Sequence, residues 1–200
     1  MDKHDQKNFS ILSSIIKGGD ICIDVGANVG IYSKFLIGLG AELYSIELDP
    51  NTCEELKSIL GNSATVINAA ISSVDGEIEY FRGEDSCRNN IIGHDMDFRP
   101  NSIAGKIESK TLNTLFSNIS PIKLLKIDIE GAELSALYGA GSMIKNVEYL
   151  LLECHLDSDW PAIRDLLLNV FDFKCLNLET NEEINMNSSR PYQCLCKRKI

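Results

Sequence analysis

Short apolar runs of strand length alternate with amphipathic stretches along most of the chain. The runs are ICIDV (21–25), ELYSIEL (42–48), ATVINAA (64–70), IKLLKIDI (122–129) and VEYLLLEC (147–154). All of them except ATVINAA are followed directly by a stretch with apolar residues at helical spacing. Buried strands separated by amphipathic helices are typical of a parallel sheet covered on both faces, so the pattern predicts a doubly wound α/β domain.

The two ends of the chain depart from this alternation. FDFKCLNL (171–178) and YQCLCKRKI (192–200) follow each other without an intervening helical stretch. Two strands joined in this way pair antiparallel, so we expect the sheet to end in one reversed strand. At the other end, the stretch 9–17 carries apolar side chains at helical spacing and ends at Gly18 and Gly19, which predicts an N-terminal helix within residues 1–19 that lies across the sheet edge.

Residues 83–106 show no sustained hydrophobic period and contain many polar groups. Structureless loops longer than about 12–15 residues are usually lids, binding loops or disordered segments when they occur in compact domains. We interpret 83–106 as a loop that closes over a substrate, with plain disorder as the alternative. The side chains that would bind a polar or anionic acceptor are Arg88, Asn89, Asn90, His94 and Arg99.

Length, charge and cysteine usage narrow the possible functions. A chain of 200 residues corresponds to one domain, and a formal net charge of −10 disfavours a basic face for nucleic acid or an anionic membrane. No stretch approaches the roughly 18 consecutive apolar residues of a membrane span, and no signal-peptide pattern follows the charged start. Most of the seven cysteines lie in apolar runs and are expected to be buried free thiols. We therefore expect a soluble, cytoplasmic, single domain over 1–200.

The segment after the first strand has the spacing D-x-G-x-N-x-G, formed by Asp24, Gly26, Asn28 and Gly30. Glycines allow a sharp turn and a close approach of the backbone to a ligand, and the helix that follows offers unpaired N–H groups. The spacing fails both the G-x-G-x-x-G and the P-loop patterns. A ligand with a smaller, partly cationic centre is therefore favoured over a pyrophosphate, and an ordinary turn between strand and helix is the alternative.

Glu47 ends the second strand, 21 residues after Gly26. An acidic side chain about 20 residues after a glycine turn can accept hydrogen bonds from both ribose hydroxyls of a nucleoside. The turn after the third strand contains Asn68 and Ala69, which could flank an adenine with one amide and a small side chain. These residues together indicate a cofactor that contains a nucleoside.

Ionisable residues gather at the ends of the fourth and fifth apolar strands. Lys126 and Asp128 share one face of a strand, and burying such charges is costly unless they are paired or used. Asp128 and Glu130 fall at the carboxyl end of that strand, where open α/β sheets bind ligands. Glu153 and His155 end the next strand near the same edge. We interpret these four residues, Asp128 to His155, as a reaction centre; a structural Lys–Asp pair and a packed histidine are the alternatives.

Taken together, these segments resemble the class I S-adenosylmethionine-dependent methyltransferases, and within them the FkbM-type family. The resemblance extends from about Lys17 to His155, and it is specific because D-x-G-x-N-x-G and K-I-D-I-E-G-A-E occur together. The matching segments are IDVGANVGIYS (23–33), IELDPN (46–51), INAAIS (67–72), LNTLF (112–116), LLKIDIEGAELSALYGA (124–140) and LLECH (151–155).

This resemblance implies a Rossmann-like seven-stranded sheet of order 3-2-1-4-5-7-6 with strand 7 antiparallel. It implies a methyltransferase, typically an O-methyltransferase acting on a hydroxyl of a small-molecule, sugar or polyketide-like acceptor. Asp128 would then face both the methyl donor and the acceptor. The cofactor would be S-adenosylmethionine, with Asp24, Gly26, Asn28 and Gly30 around its methionine part, Glu47 on the ribose, and Asn68 and Ala69 near the adenine.

Methyl transfer to a hydroxyl needs alignment of the reacting atoms and a group that takes the hydroxyl proton. The candidates for that base are Asp128, Glu130 and His155, of which Asp128 and His155 are favoured. A divalent ion bridging Asp128 and Glu153 is another way to acidify the hydroxyl, so metal use stays open. An NAD-dependent oxidoreductase and a cofactor-binding module without catalysis are alternative functions. We expect no nucleic-acid partner and no membrane insertion, and the oligomeric state stays open.

Overall fold

A seven-stranded β-sheet forms the centre of the molecule. The computed structural model describes residues 3–83, 89–92 and 102–199. In this part of the chain the strands are β1 (Ile21–Val25), β2 (Glu42–Glu47), β3 (Thr65–Asn68), β4 (Ala70–Ile71), β5 (Gly76–Arg82), β6 (Ser102–Lys110), β7 (Ile122–Ile127), β8 (Val147–Glu153), β9 (Phe173–Asn177) and β10 (Gln193–Arg198). The helices are α1 (Lys3–Ile15), α2 (Ile31–Gly38), α3 (Pro50–Leu60), α4 (Leu112–Phe116), α5 (Glu133–Tyr138) and α6 (Trp160–Asp165). Short 3₁₀ segments occupy Gly61–Ser63 and Gly141–Asn146, and a π-helical turn occupies Leu166–Val170.

The strand order of the central sheet is β3-β2-β1-β7-β8-β10-β9. The first five strands in this order pair parallel, whereas β10 pairs antiparallel with both β8 and β9. Numbered within this sheet alone, the order is 3-2-1-4-5-7-6 with the seventh strand reversed. The predicted fold class, a Rossmann-like doubly wound α/β sheet, is therefore confirmed.

Helices cover both faces of the sheet because successive residues of a strand point to opposite sides. In β7, Leu124 packs in a buried cluster with Leu12 of α1 and Leu36 of α2. Its neighbour Leu125 packs in a second buried cluster with Leu137 of α5 and other residues of the opposite face. Apolar burial on both faces holds β1, β2 and β7 side by side, so their carboxyl ends meet at one edge of the sheet.

Helix α1 lies within the stretch 1–19 and packs against α2. The ring of Phe9 stacks on Phe35 with centroids 4.0 Å apart, and it meets Tyr32 edge-on at 5.0 Å. Leu12 and Ile16 are buried in the same contact. None of the described helices combines the length and the apolar composition that a membrane-spanning segment needs.

The structure contains a second sheet, of order β4-β6-β5, that the sequence pattern does not predict. Because β6 begins at Ser102 and pairs antiparallel with β5, the loop expected over 83–106 is wrong for residues 102–106. The sequence does not predict this strand, because only Ile107 and Ser109 in it are buried and the hydrophobic pattern is therefore almost absent. Residues 84–88 and 93–101 of the same segment lie outside the described residues.

Strands β9 and β10 form the expected antiparallel hairpin at the far edge of the sheet. Cys175 lies directly opposite Cys196 in this pair, and the two form a disulfide. The expectation of free thiols is therefore wrong for these two residues. Nothing in the sequence indicated the disulfide, because the two cysteines become neighbours only through the register of the paired strands. The free cysteines in the described part of the chain are all buried: Cys22, Cys53, Cys154 and Cys194.

Candidate active site

A cavity of about 210 Å³ lies at the carboxyl edge of β1, β2 and β7. Its wall combines the turn after β1, the end of β2, the region of β4 and the residues that follow β7. The predicted site residues that line this wall are Gly26, Asn28, Glu47, Ala69, Asp128 and Glu130. The other predicted residues lie next to the wall without lining it: Asp24, Gly30, Asn68, Glu153 and His155.

The turn after β1 brings the backbone against the end of β7. Gly26 has a φ of 78°, and its N–H donates to the carbonyl of Ile46 at 3.0 Å. A Cβ added at Gly26 would lie 1.7 Å from the backbone oxygen of Asp128, so only glycine fits there. The left-handed region continues at Asn28, with a φ of 47°, and at Gly30, with a φ of 82°. The glycine spacing thus shapes the cavity by letting two strand ends touch.

Replacing Gly26 with alanine should destabilise the fold by roughly 2–5 kcal/mol, because a left-handed backbone strain and a steric overlap add together. Gly19 provides the matched control, since it has a φ of 85° but nothing within 4 Å of an added Cβ. Gly19→Ala should cost only about 1–2 kcal/mol, the strain alone. Urea unfolding of both variants measures the difference, and equal losses would contradict a close contact between Gly26 and β7.

Glu47 is 5 % exposed and carries two backbone hydrogen bonds. Its Oε2 accepts from the N–H of Asn28 at 2.8 Å, and its Oε1 accepts from the N–H of Asp49 at 2.9 Å. Burial raises the pKa of this carboxyl, and the two N–H bonds offset part of that rise. Because each oxygen keeps a further lone pair, the carboxylate can also accept from a ligand in the cavity.

Asn68 and Ala69 play different structural parts. The side-chain amide of Asn68 donates to the carbonyls of Glu47 at 2.8 Å and Leu48 at 2.9 Å, which holds the end of β2 in place. Ala69 lines the cavity together with Ala70 and exposes no side-chain polar atom. This side of the cavity is therefore small and apolar, and the NH2 group of Asn68 is already hydrogen-bonded to backbone carbonyls.

Asp24 and Lys126 form a buried ion pair at the cavity, in which Lys126 lines the wall and Asp24 lies next to it. Asp24 Oδ2 accepts from the hydroxyl of Ser33 at 2.7 Å, and Oδ1 lies 3.2 Å from Lys126 Nζ. The same Nζ lies 3.3 Å from Asp128 Oδ2. Burial by itself lowers the pKa of Lys126, but the attraction of Asp24 and Asp128 outweighs it and raises that pKa above its ordinary value. Lys126 thus stays charged and holds the carboxylate of Asp128 in place.

His155 is buried among carboxylates at the end of β8. Its Nδ1 lies 2.7 Å from Glu133 Oε1, and its Nε2 lies 3.3 Å from Glu153 Oε1, 3.6 Å from Glu130 Oε2 and 3.9 Å from Asp128 Oδ1. Burial by itself lowers the pKa of His155, but its bonds to Glu133 and Glu153 outweigh this and raise the pKa to about 11. The imidazole is therefore held as a cation that ties four carboxylates together.

Asp128 and Glu130 are the carboxylates of this cluster that line the cavity. Burial raises the pKa of Asp128 against the attraction of Lys126, and it raises the pKa of Glu130 to about 7. Glu130 also has a φ of 55°, an uncommon conformation for a residue other than glycine and one that is often found at functional sites. The carboxyl group of Glu130 can therefore exchange a proton with a bound molecule near neutral pH.

The same cluster has the donor atoms of a cation site. Asp128, Glu153 and His155 each offer one ligand atom, and these atoms lie within 4.8 Å of one another. Carboxylate and imidazole donors suit divalent ions such as Zn²⁺ and Mn²⁺. An imidazole nitrogen must be deprotonated to bind a metal, so a divalent cation here would displace a proton from His155. The arrangement could thus either keep and move that proton or hold a divalent cation.

Several residues of the site were missed by the sequence reasoning. Glu133 is 1 % exposed and accepts from the N–H of Gly131 at 3.1 Å as well as facing His155. The available signal was its place as the last residue of the motif KIDIEGAE, where α5 begins. Asp5 of α1 and Tyr32 of α2 line the cavity, and no local pattern marked either of them.

Part of the predicted lid segment reaches the cavity. Asn89 and Asn90 are buried and line the wall together with Ile91. Asn90 and Phe81 of β5 exchange two backbone hydrogen bonds of 2.8 and 3.1 Å, which ties this segment to the small sheet. The other proposed donors, Arg88, His94 and Arg99, lie outside the described residues.

Comparison with known proteins agrees with this geometry. The fold is similar to an rRNA methylase from Streptococcus thermophilus, with 10% identity, a TM-score of 0.57, and 99% of this chain and 98% of that chain covered. It is also similar to a protein from Streptococcus mutans that is described as a methyltransferase and bound to SAH, with 11% identity, a TM-score of 0.58, and 100% and 99% of the two chains covered. No curated protein sequence matches the chain. The profile of the methyltransferase FkbM domain matches residues 24–175. The chain therefore belongs to the FkbM methyltransferase family, and its cofactor is S-adenosylmethionine.

Proposed function

We propose that the protein transfers a methyl group from S-adenosylmethionine to a hydroxyl of a small-molecule, sugar or polyketide-like acceptor. The observation that carries this proposal is the presence of Asp128 and Glu130 on the wall of the cavity that Glu47 and the glycine turn also line. A cofactor site and a proton-accepting site thus share one space, as direct transfer to a hydroxyl requires. Membership of a methyltransferase family removes the support for an NAD-dependent oxidoreductase.

The cofactor orientation follows from the chemistry of the wall. Glu47 would accept from the ribose hydroxyls, since its carboxylate lines the cavity and keeps free lone pairs. Ala69 would lie against the adenine, and Asn68 would support that turn through its bonds to β2. Gly26 and Asn28 would surround the methionine part, with Asp24 and Gly30 holding the turn from behind.

Asp128 is the residue that we propose to accept the proton of the acceptor hydroxyl. It lines the cavity, whereas His155 lies behind it with both ring nitrogens facing carboxylates. Lys126 at 3.3 Å holds the Asp128 carboxylate in one position, and the cluster of Glu153, His155 and Glu130 supports it from the other side. A carboxylate fixed in this way can align a hydroxyl with the methyl group, and alignment is the larger part of catalysis in such a displacement.

Metal use can be separated from this proton route by chelation. A divalent ion held by Asp128, Glu153 and His155 would acidify the hydroxyl directly. With Asp128 as the base, methyl transfer should persist after treatment with EDTA and should not respond to added Mg²⁺ or Mn²⁺. Loss of activity on chelation, with recovery on metal addition, would replace the proton route by a metal route.

The acceptor class is tested with methyl-labelled S-adenosylmethionine and a panel of acceptors. Small hydroxyl compounds, free sugars and polyketides form one arm, and RNA forms the other because solved relatives of this fold include rRNA methylases. We expect label in the small hydroxyl compounds only, since the chain carries a net charge of −10. Label in RNA would overturn the acceptor class, and cofactor binding without transfer to any acceptor would favour a non-catalytic module.

A further inference from the structure

A chain of buried polar side chains connects the N-terminal helix to the carboxylate cluster. Asn8 of α1 is 2 % exposed, and its Nδ2 donates to the hydroxyl of Tyr32 and to Gln193 Oε1, both at 2.8 Å. Gln193 of β10 is also buried, and its Nε2 donates to Glu153 Oε2 at 2.7 Å. Glu153 in turn faces His155. The helix is thus joined to both the cavity wall, through Tyr32, and the cluster behind it.

This chain of polar side chains attaches the helix at a higher cost in free energy than an apolar contact would. The surrounding contact between α1 and the sheet is apolar and includes Leu12, Leu36 and Leu178. Buried amides cost free energy unless every polar atom is paired, and apolar residues of the same volume usually stabilise such a contact more. Asn8 Oδ1 is buried and has no hydrogen-bond partner among the described atoms. A requirement of the active site explains this cost, whereas packing alone does not.

We propose that Asn8 is a positioning residue of the methyl-transfer site. Through Tyr32 it fixes one part of the cofactor cavity, and through Gln193 it fixes the carboxylate of Glu153 and hence the cluster that carries Asp128. This inference rests on the proposed function, because it assigns Glu153 to the reaction centre. Asn8 and Gln193 both lie outside residues 24–175, so the family match does not assign them a role. The N-terminal helix is accordingly part of the active site.

The first test compares four variants by calorimetric titration with S-adenosylhomocysteine. Asn8→Leu keeps the branched shape of the side chain and removes both donors. Because Tyr32 is then no longer held in the cavity wall, binding should weaken about threefold to tenfold, an effect of the size of one hydrogen bond. Gln193→Leu should leave this affinity unchanged. Leu12→Ala is the control on the same helix: it should lower the melting temperature more than either variant and leave the affinity unchanged. The double variant Asn8→Leu/Gln193→Leu should bind as Asn8→Leu does.

The second test observes the cluster itself by NMR. The chain contains three histidines, so the ring ¹⁵N signals of His155 can be assigned with His4→Gln and His94→Gln. Asn8→Leu and Gln193→Leu should both shift the His155 signals, and Leu12→Ala should not. Unmoved His155 signals in Asn8→Leu would overturn the proposal, because a purely structural asparagine has no effect on that ring.

Turnover completes the test with an acceptor that the wild-type protein methylates. Asn8→Leu and Gln193→Leu should each lower kcat about tenfold or more, because a displaced reacting group loses its alignment. The double variant should be no slower than the slower single variant, since both changes break one chain. If the two reductions in kcat multiplied in the double variant, the proposal would be overturned. If no hydroxyl acceptor is found, the affinity and NMR results still decide it, so its failure is distinct from failure of the proposed function.

Discussion

Asp128→Asn should leave cofactor binding intact and slow methyl transfer by about a hundredfold or more, as expected when a general base is lost. Asparagine preserves the shape of the side chain and can still accept from Lys126, so the wall of the cavity keeps its form. The amide cannot take the proton of the acceptor hydroxyl. The measurements are the dissociation constant for S-adenosylhomocysteine and kcat with an acceptor from the panel.

The matched control for this variant is Asp172→Asn. Asp172 also forms a pair with a lysine, at 3.0 Å from Lys199 Nζ, but it lies on the exposed edge beside β9. Its replacement should change neither affinity nor kcat. A full rate in Asp128→Asn would mean that Asp128 serves only as the structural partner of Lys126, and the base would then have to be sought at Glu130.

Glu47→Ala should weaken binding of S-adenosylmethionine and S-adenosylhomocysteine by roughly 2–4 kcal/mol, which is about 30-fold to 1,000-fold. Two hydrogen bonds from the ribose to a charged acceptor are lost at once. The variant also leaves the N–H groups of Asn28 and Asp49 without their carboxylate, so the turn that surrounds the methionine part loses support. Calorimetry with both ligands measures the effect.

A second glutamate on the same strand provides the control. Glu42 begins β2 and is exposed at the opposite end from the cavity. Glu42→Ala should leave the affinity for both ligands unchanged. If Glu47→Ala bound the cofactor as tightly as Glu42→Ala does, Glu47 would have no role at the ribose, and the cofactor would have to be held by the backbone of the glycine turn.

Much of the fold was predictable because its signals are local. The buried runs of β1, β2, β7 and β8 are apolar on both faces, as central parallel strands must be, and amphipathic helices follow each of them. The hairpin of β9 and β10 was predictable because no helix separates them. The small sheet was not, because β5 and β6 are largely exposed and their residues have no need to alternate.

The candidate site was predictable to the extent that it follows from strand ends. Residues placed after parallel strands meet at one edge of the sheet, so Glu47, Asp128 and His155 could be assigned to one region from their positions alone. The sequence by itself thus determined the doubly wound sheet and the set of polar residues at its carboxyl edge. The hydrophobic period and the order of the strands along the chain are sufficient for this, because both can be recognised within short segments of sequence.

Only the tertiary structure decided which of these residues line the cavity and which support it from behind. Asp128 and Glu130 face the cavity, whereas Glu153 and His155 do not, although all four end neighbouring strands. The same holds for the bond between Asn8 and Gln193, which joins residues 185 positions apart. Such contacts depend on how helices and strands pack and on the direction of each side chain. Local sequence patterns specify neither, because the partners meet only when the whole chain is folded.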